Sequence, residues 1–291
     1  MRRAGLLHSS VRTLRDFGFR WSYVQPDDSP LEDLVAEAAR EVLTRSGANV
    51  QTVLLYSALD SLSARDHPRR NRTLRAFRYP VAGLAERLGL SRANALALSQ
   101  QGCSGLLSAI HIAGQMACTS GDGPVLCLAA DSLPAGDMRE IMYNVMSDAA
   151  SAAVVDAASP RNRIVSFHQR SEAAYWDTPA LQPELVAAYF PMAQRTIIEA
   201  LERAGLGVDA IRWFVPSNVS LRSWTILADL IKVPLDRVWT ENIARIGHTV
   251  SSDHVINLVD MEKAGALTPG DLLLLFTFGF GASWSVMILR H

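Results

Sequence analysis

Cysteine is scarce in this chain, with Cys103, Cys118 and Cys127 its only three. An odd number without metal-type pairing argues against a disulfide framework and fits a reducing compartment, the cytoplasm. A basic excess is also missing. The formal net charge is −1, which argues against a general nucleic-acid binder. The opening MRRAGLLHSSVRTLR carries no acid, as in a transit peptide, but it lacks an apolar core of signal-peptide length. It reads as an ordinary first element. The uncharged run 272–289 is long enough for a membrane span, yet Gly279, Gly281, Ser283 and Ser285 interrupt it. Strand, glycine turn and strand describe it better, so no membrane span is expected. No low-complexity tract occurs. What is present is an ordinary globular composition, 49% hydrophobic and 20% charged, in a chain of 291 residues that can bury an extensive core.

Strands alternate with helices. Residues 31–46, LEDLVAEAAREVLTRS, carry apolar residues at helical spacing with Gly47 as a stop. A buried strand follows at 52–58, then a short helix at 81–88 and a strand within 94–101. A small-residue helix at 104–120 leads through GDGP to a strand at 125–130. The second half repeats the order, with helices at 188–204, 221–231 and 251–264. Its strands are predicted at 211–216, 238–240, 271–278 and 283–289. This pattern predicts parallel sheet layers covered by helices. The string SDAASAAVVDA at 147–157 parallels GASWSVMILRH at 281–291, a faint internal duplication. The expected halves are 1–158 and 159–291, joined by a linker at about 159–178.

Cys103 stands where a strand ends and a helix begins, between Gly102 and Ser104-Gly105. A thiol at a helix N-terminus feels the positive end of the helix dipole, which favours the thiolate. The glycines permit a sharp turn and close approach of a substrate. A free cysteine is also commonly a buried packing residue, and the turn alone leaves both readings open. Cys118 and Cys127 lie in apolar patterns and are assigned to the core.

Four blocks in order resemble β-ketoacyl-ACP synthase III and its relatives in the thiolase superfamily. QQGCSGLLSAIHIA at 100–113 resembles the active-site cysteine block, and SDAASAAVV at 147–155 the Gly-Asp-Gly-Ala-Gly-Ala strand. IRWFVPSNVSLR at 211–222 is similar to the strand ending in Pro-His-Gln-x-Asn-x-Arg. RIGHTVSSDH, with the Pro-Gly and glycine loop that follow it to 285, resembles the Gly-Asn-Thr-Ser block and its C-terminal continuation. The first thirty residues match poorly.

The resemblance implies an α/β, thiolase-like five-layered αβαβα fold built from two duplicated halves. It also implies a homodimer and an acyl-cysteine formed from acyl-CoA or an acyl carrier protein, with no separate cofactor. Its decarboxylating members use Cys, His and Asn. Here Ser217 stands in place of the histidine and His248 in place of the asparagine. Losing one oxyanion donor typically costs about two to three orders of magnitude in rate, which disfavours decarboxylative condensation.

A different set remains. Asp253 follows His248 by five residues (253 − 248 = 5) at the start of the next helix. A local turn brings the two together, so that Cys103, His248 and Asp253 form a nucleophile–base–orienter triad. The simpler readings are that His248 is a loop spacer and that Asp253 merely favours the helix start. His254 is an alternative to Asp253, and no recognised metal site is present. The oxyanion hole is expected from the backbone of Cys103 and of Gly279-Phe280-Gly281. Phe280 either crowds the pocket or turns to the core. Ser217 donates a hydrogen bond or opens space for an acceptor, and Asn218 takes over polar work there. Arg222 matches an arginine near the pantetheine tunnel and would hold a phosphate. Arg69, Arg70, Arg72 and Arg75 form a basic cluster for an acidic carrier or simply a solvated face. The expected function is acyl transfer to a hydroxyl, amine or carrier thiol in polyketide or other natural-product biosynthesis. Decarboxylating condensation, a non-catalytic partner subunit and thioester hydrolysis are the alternatives.

Overall fold

The computed structural model describes residues 5–26, 28–59, 79–119 and 123–291. The Arg69–Arg75 cluster lies outside the described residues. In chain order the helices are α1 (Val11–Asp16), α2 (Leu31–Ser46), α3 (Pro80–Arg87), α4 (Gly105–Thr119), α5 (Gln182–Arg203), α6 (Leu221–Leu230), α7 (Glu241–Arg245) and α8 (Asp253–Lys263). The strands are β1 (Thr52–Tyr56), β2 (Asn94–Leu98), β3 (Val125–Asp131), β4 (Glu140–Ile141), β5 (Asn144–Val145), β6 (Ala149–Val155), β7 (Arg163–Ser171), β8 (Trp213–Pro216), β9 (Leu272–Gly279) and β10 (Ser283–Arg290).

Local signals set the boundaries. Glu32 and Asp33 sit in the first turn of α2, Arg45 in the last, and Gly47 closes it at φ 61°. Charge of each sign thus faces the helix end it complements, and glycine accepts the left-handed cap without a Cβ penalty. β1, TVLLY, is buried along its whole length, as a central parallel strand covered on both faces must be.

Two sheets form. The first has the order β2-β1-β3-β6 and the second β7-β10-β9-β8. β1 is parallel to β2 and β3, and β6 runs antiparallel to β3. In the second sheet β8 is parallel to β9, and β10 runs antiparallel to both β9 and β7. The two-residue period of each strand divides its side chains between faces. Val53 and Leu55 pack outward with Leu31, Val35 and Leu84 of α2 and α3. Leu54 and Tyr56 pack inward with Leu106 and Ala109 of α4, joined by Val255 of α8. The same middle layer meets the second sheet through Leu107 and Met261 against Val215, Leu275 and Met287. Ile197, Trp224 and Leu227 of α5 and α6 cover its far side against Phe214, Leu274 and Phe276. Helix, sheet, helix, sheet and helix therefore stack as five layers.

The structure departs from the sequence reading in several places. The stretch 159–178, read as a linker, contains β7, an edge strand of the second sheet. Only an isolated bridge between Val238 and Phe214 occurs where a strand at 238–240 was expected. The helix expected at 188–204 begins at Gln182 and carries Pro191 inside it. Cys127 is buried, but Cys118 is exposed, because it lies near the solvent-facing end of α4.

The poorly matching first thirty residues have a definite place. Leu14 and Phe19 are buried in the outer core of the second sheet. The N–H groups of Arg20 and Trp21 donate to Ala244 O, and Leu221 N donates to Phe17 O at 2.8 Å. The same segment runs along residues 139–148. Ser9 donates to Glu140 through its N–H and its hydroxyl, Tyr23 N to Ser147 Oγ, and Gln25 N to Asp148 Oδ2. Asp148 forms a buried ion pair with Arg139.

Candidate active site

Beyond β2 the backbone makes two left-handed steps, at Gln100 (φ 67°) and Gly102 (φ 51°), and then a single 3-10 turn, Gly102–Ser104, that opens α4. A non-glycine residue at positive φ is costly and marks a site where the fold fixes the backbone. Cys103 sits in this turn and is partly exposed. The turn is pinned from below. The Tyr56 hydroxyl donates to Gly102 O, the Ser104 hydroxyl donates to Gln101 O at 2.6 Å, and Ser104 shares a hydrogen bond with Ser283. Gly105 is required because a Cβ there would collide with the Tyr56 ring.

His248 comes from the other half. Its N–H donates to Val145 O at 2.9 Å, and its carbonyl accepts from Ser147 N at 2.8 Å. The 139–148 segment, itself held by residues 9–25, therefore fixes the histidine backbone. His248 Nε2 lies 3.2 Å from Cys103 Sγ, and its Nδ1 lies 2.6 Å from Asp253 Oδ2. Asp253 is the first residue of α8 and is fully buried. Besides His248 it accepts from Thr249 N, the Thr249 hydroxyl and Asn218 N, each at 2.7 Å. Burial works against the charged form of both partners. Against it, the Asp253 carboxylate and the Cys103 sulfur hold the His248 imidazole well above its usual range. For Asp253, burial is outweighed by the His248 charge and the Thr249 hydrogen bonds, which hold its carboxyl below the usual carboxylate range. The arrangement can move a proton between Sγ and Nε2 with the imidazole tautomer fixed from behind.

Val250, two residues after His248, adopts φ 58° and lines the cavity onto which Cys103 opens. A β-branched residue in that region is strained, and such strain concentrates at functional sites.

Not every expected residue faces this cavity. Ser217 is 2% exposed and lies off the cavity, its carbonyl accepting from Trp224 Nε1. Asn218 is fully buried; its backbone supports Asp253, and its side-chain oxygen accepts from Asn257. Neither residue lines the cavity, and Asn218 stands behind the Asp253 carboxylate. His254 is also buried away from the cavity, with Nε2 donating to Phe276 O at 3.0 Å. Burial pushes its imidazole below the usual range.

Phe280 and Gly281 do line the cavity, with the Phe280 ring against Phe278. Gly279 sits beneath, where a Cβ would collide with Gln101 O. A Cβ on Gly102 would come within 2.5 Å of Phe280 N, so the Cys103 turn and the 279–281 turn are in backbone contact. Arg222 is exposed at the cavity wall, its guanidinium 6.0 Å from the centroid of the Phe17 ring.

The cavity measures about 910 Å³. Its wall includes Phe17, Tyr143, Trp176 and Tyr189, none of which the sequence reading singled out. Tyr189 and Trp176 lie in or beside the region read as linker and simple helix. Their convergence on Cys103 depends on tertiary packing rather than on any local pattern.

Comparison with known proteins agrees with this architecture. Residues 201–291 match the family model "3-Oxoacyl-[acyl-carrier-protein (ACP)] synthase III C terminal". The chain is 26% identical over 276 residues to a β-ketoacyl-[acyl-carrier-protein] synthase III of Geobacillus kaustophilus, covering 92% of this chain and 85% of the relative. Its fold is similar to that of 3-oxoacyl-[acyl-carrier-protein] synthase III from Aquifex aeolicus, with a TM-score of 0.82 and 20% identity over 99% of this chain and 93% of the other. It is similarly close to the acyltransferase ChlB3, with a TM-score of 0.81 and 20% identity over 97% and 90% of the two chains. The five layers, the matched C-terminal block and these likenesses converge: residues 201–291 match the C-terminal domain of 3-oxoacyl-ACP synthase III, and the chain as a whole is similar in sequence and fold to β-ketoacyl-ACP synthase III proteins, which are acyl-transferring or condensing enzymes.

Proposed function

We propose that the protein is an acyltransferase that carries its acyl group on Cys103 and passes it to a hydroxyl, an amine or a carrier thiol, without decarboxylation. The observation that carries this reading is the continuous hydrogen-bonded set Cys103–His248–Asp253, 3.2 and 2.6 Å apart. Ser217, at the position where the resemblance places a histidine donor, is too short to match its reach and does not line the cavity. An enolate formed from a malonyl thioester would thus lack the pair of neutral donors that condensation uses.

In the first half-reaction the Cys103 sulfur attacks the thioester carbonyl, and the C–S bond to the carrier breaks. His248 holds the proton of the Cys103 thiol and delivers it to the departing carrier thiolate. In the second, His248 takes the proton of the acceptor O–H or N–H, the acceptor attacks the acyl-cysteine, and Cys103 leaves as thiolate. Asp253 keeps Nδ1 protonated throughout, so that Nε2 faces the sulfur. The backbone of Cys103 and of the 279–281 turn receives the developing oxyanion. Arg222 has no carboxylate partner among the described residues and stands where a phosphate of CoA or a phosphopantetheine arm would pass.

Acyl-CoA or acyl carrier protein is the donor, and no other cofactor is needed. A large cavity with an apolar, aromatic wall fits specialised polyketide or natural-product chemistry better than a two-carbon primer. The outer edge of β2 exposes Ala95, Leu96 and Ala97, an apolar edge with no strand partner among the described residues and suited to pairing with a second copy in a homodimer. Among the described residues no helix is long and apolar enough to cross a membrane.

The relatives named as synthases favour a second reading, decarboxylating condensation. Malonyl thioester separates the two. Incubation of the acyl-loaded protein with malonyl-CoA, and with malonyl carrier protein, should release no CO₂ above a Cys103→Ala control. CO₂ release with a two-carbon-longer product would establish condensation instead.

A further inference from the structure

Tyr189 lies on the cavity side of α5 and shares the cavity wall with Cys103. Its ring is fixed by edge contacts, with centroids 5.0 Å from Phe190 at 79° and 5.4 Å from Phe278 at 84°. Phe278 packs in turn on Phe280 at 5.7 Å and on Trp284 at 4.9 Å, and Trp284 is fully buried. A chain of rings anchored in the second sheet's core therefore holds Tyr189 in one orientation, next to the 279–281 turn that abuts Cys103. Ring pairs of this kind are stabilising and directional.

The hydroxyl of this rigid ring makes no hydrogen bond with any described residue. Buried or half-buried tyrosines usually find a partner for O–H, and the two rings packed on this one, Phe190 and Phe278, offer none. In ligand cavities a few such polar groups in an apolar wall fix orientation and specificity. Burial first, and the charge of Cys103 second, push the ionisation of the phenol upward. It stays a hydrogen-bond donor throughout the working pH range, on the nucleophile's side of the cavity.

We infer that Tyr189 is a specificity-determining residue, its hydroxyl donating a hydrogen bond to an oxygen carried by the acyl group beyond the thioester carbonyl. The substrate class is then an oxygenated acyl thioester rather than a plain hydrocarbon one of the same size. This rests on the reading of Cys103 as the acyl carrier.

The test is the rate of Cys103 acylation, read by quenched intact-mass measurement, for matched CoA thioesters with and without an oxygen. Butyryl- against 3-hydroxybutyryl-CoA, and benzoyl- against 4-hydroxybenzoyl-CoA, serve as probes, each with wild type and Tyr189→Phe. In the faster-reacting pair, wild type should prefer the oxygenated member by roughly tenfold, the scale of one hydrogen bond. Tyr189→Phe should bring that ratio to about one, chiefly by slowing the oxygenated member. No preference in wild type would overturn the inference. So would a preference that survives the substitution, or equal slowing of both members, which would mean a structural role only. No acylation by any thioester would instead overturn the reading of Cys103 itself.

Discussion

Asp253 holds His248 at Nδ1 with one carboxylate oxygen while the other receives both the N–H and the hydroxyl of Thr249. The oxygen on His248 also receives Asn218 N. Every donor around this carboxylate is an N–H or O–H, so a neutral amide cannot satisfy them all. In Asp253→Asn the amide NH₂ would oppose a donor wherever it was placed. Acylation of Cys103 should slow by about 10²- to 10⁴-fold, as expected for loss of tautomer control. Stability should fall by about 2–4 kcal/mol through unsatisfied buried groups. Quenched mass spectrometry and urea unfolding read the two effects, and acylation within about fivefold of wild type would contradict the triad.

The same pair sets a pH dependence. The native His248 pKa is raised, so its stabilisation is complete below the unfolded value near 6.5 and is lost as pH rises through the native one. The native Asp253 pKa is lowered, so its contribution is present above an unfolded value near 4 and is lost as pH falls through the native one. The stability difference between wild type and His248→Gln should therefore be greatest between about pH 4 and 6.5 and shrink as pH rises through the native His248 value. Denaturant titrations across that range measure it. A difference that grows with alkaline pH would mean that the histidine is neutral in the native protein.

Arg139 and Asp148 form an ion pair with both side chains only 2% exposed. Asp148 also accepts from Leu133 N and Gln25 N, tying the first residues of the chain to the segment that holds His248. Arg139→Ala should cost about 3–5 kcal/mol, because it leaves a buried carboxylate without its counter-charge. Arg139→Met with Asp148→Leu should recover part of that loss. If the single variant is as stable as wild type in urea, the first thirty residues do not brace the site through this pair.

Gly105 has no room for a Cβ beside Tyr56, whose hydroxyl holds the carbonyl of Gly102. Gly105→Ala must shift either the ring or the start of α4, and the expected loss is about 1–3 kcal/mol together with slower acylation of Cys103. A midpoint of denaturation equal to wild type would show that the ring yields freely.

The layered architecture could be read from the sequence where short-range rules suffice. α2 coincides with the predicted 31–46 because its apolar spacing, first-turn acids and Gly47 all act within one element. The Cys103 turn and the meeting of His248 with Asp253 are likewise local, the latter across five residues of loop. β7 escaped because RIVSFHQRS mixes apolar and polar residues and follows a charged turn, so only its pairing with β10 makes it a strand. Ser217 and Asn218 were assigned to the cavity by position in a block, whereas neither lines it and the turn after β8 sets Asn218 behind Asp253. Phe17, Trp176 and Tyr189 come together through packing between segments far apart in sequence, and no single-segment pattern encodes that.

The most direct test of the account is intact-protein mass spectrometry of wild type and Cys103→Ala after exposure to a panel of acyl-CoA thioesters. The account predicts a mass increase equal to one acyl group in wild type, absent in Cys103→Ala and discharged when a suitable hydroxyl or amine acceptor is added. No adduct with any thioester, or an adduct of equal yield in Cys103→Ala, would contradict the assignment of Cys103 as the acyl carrier.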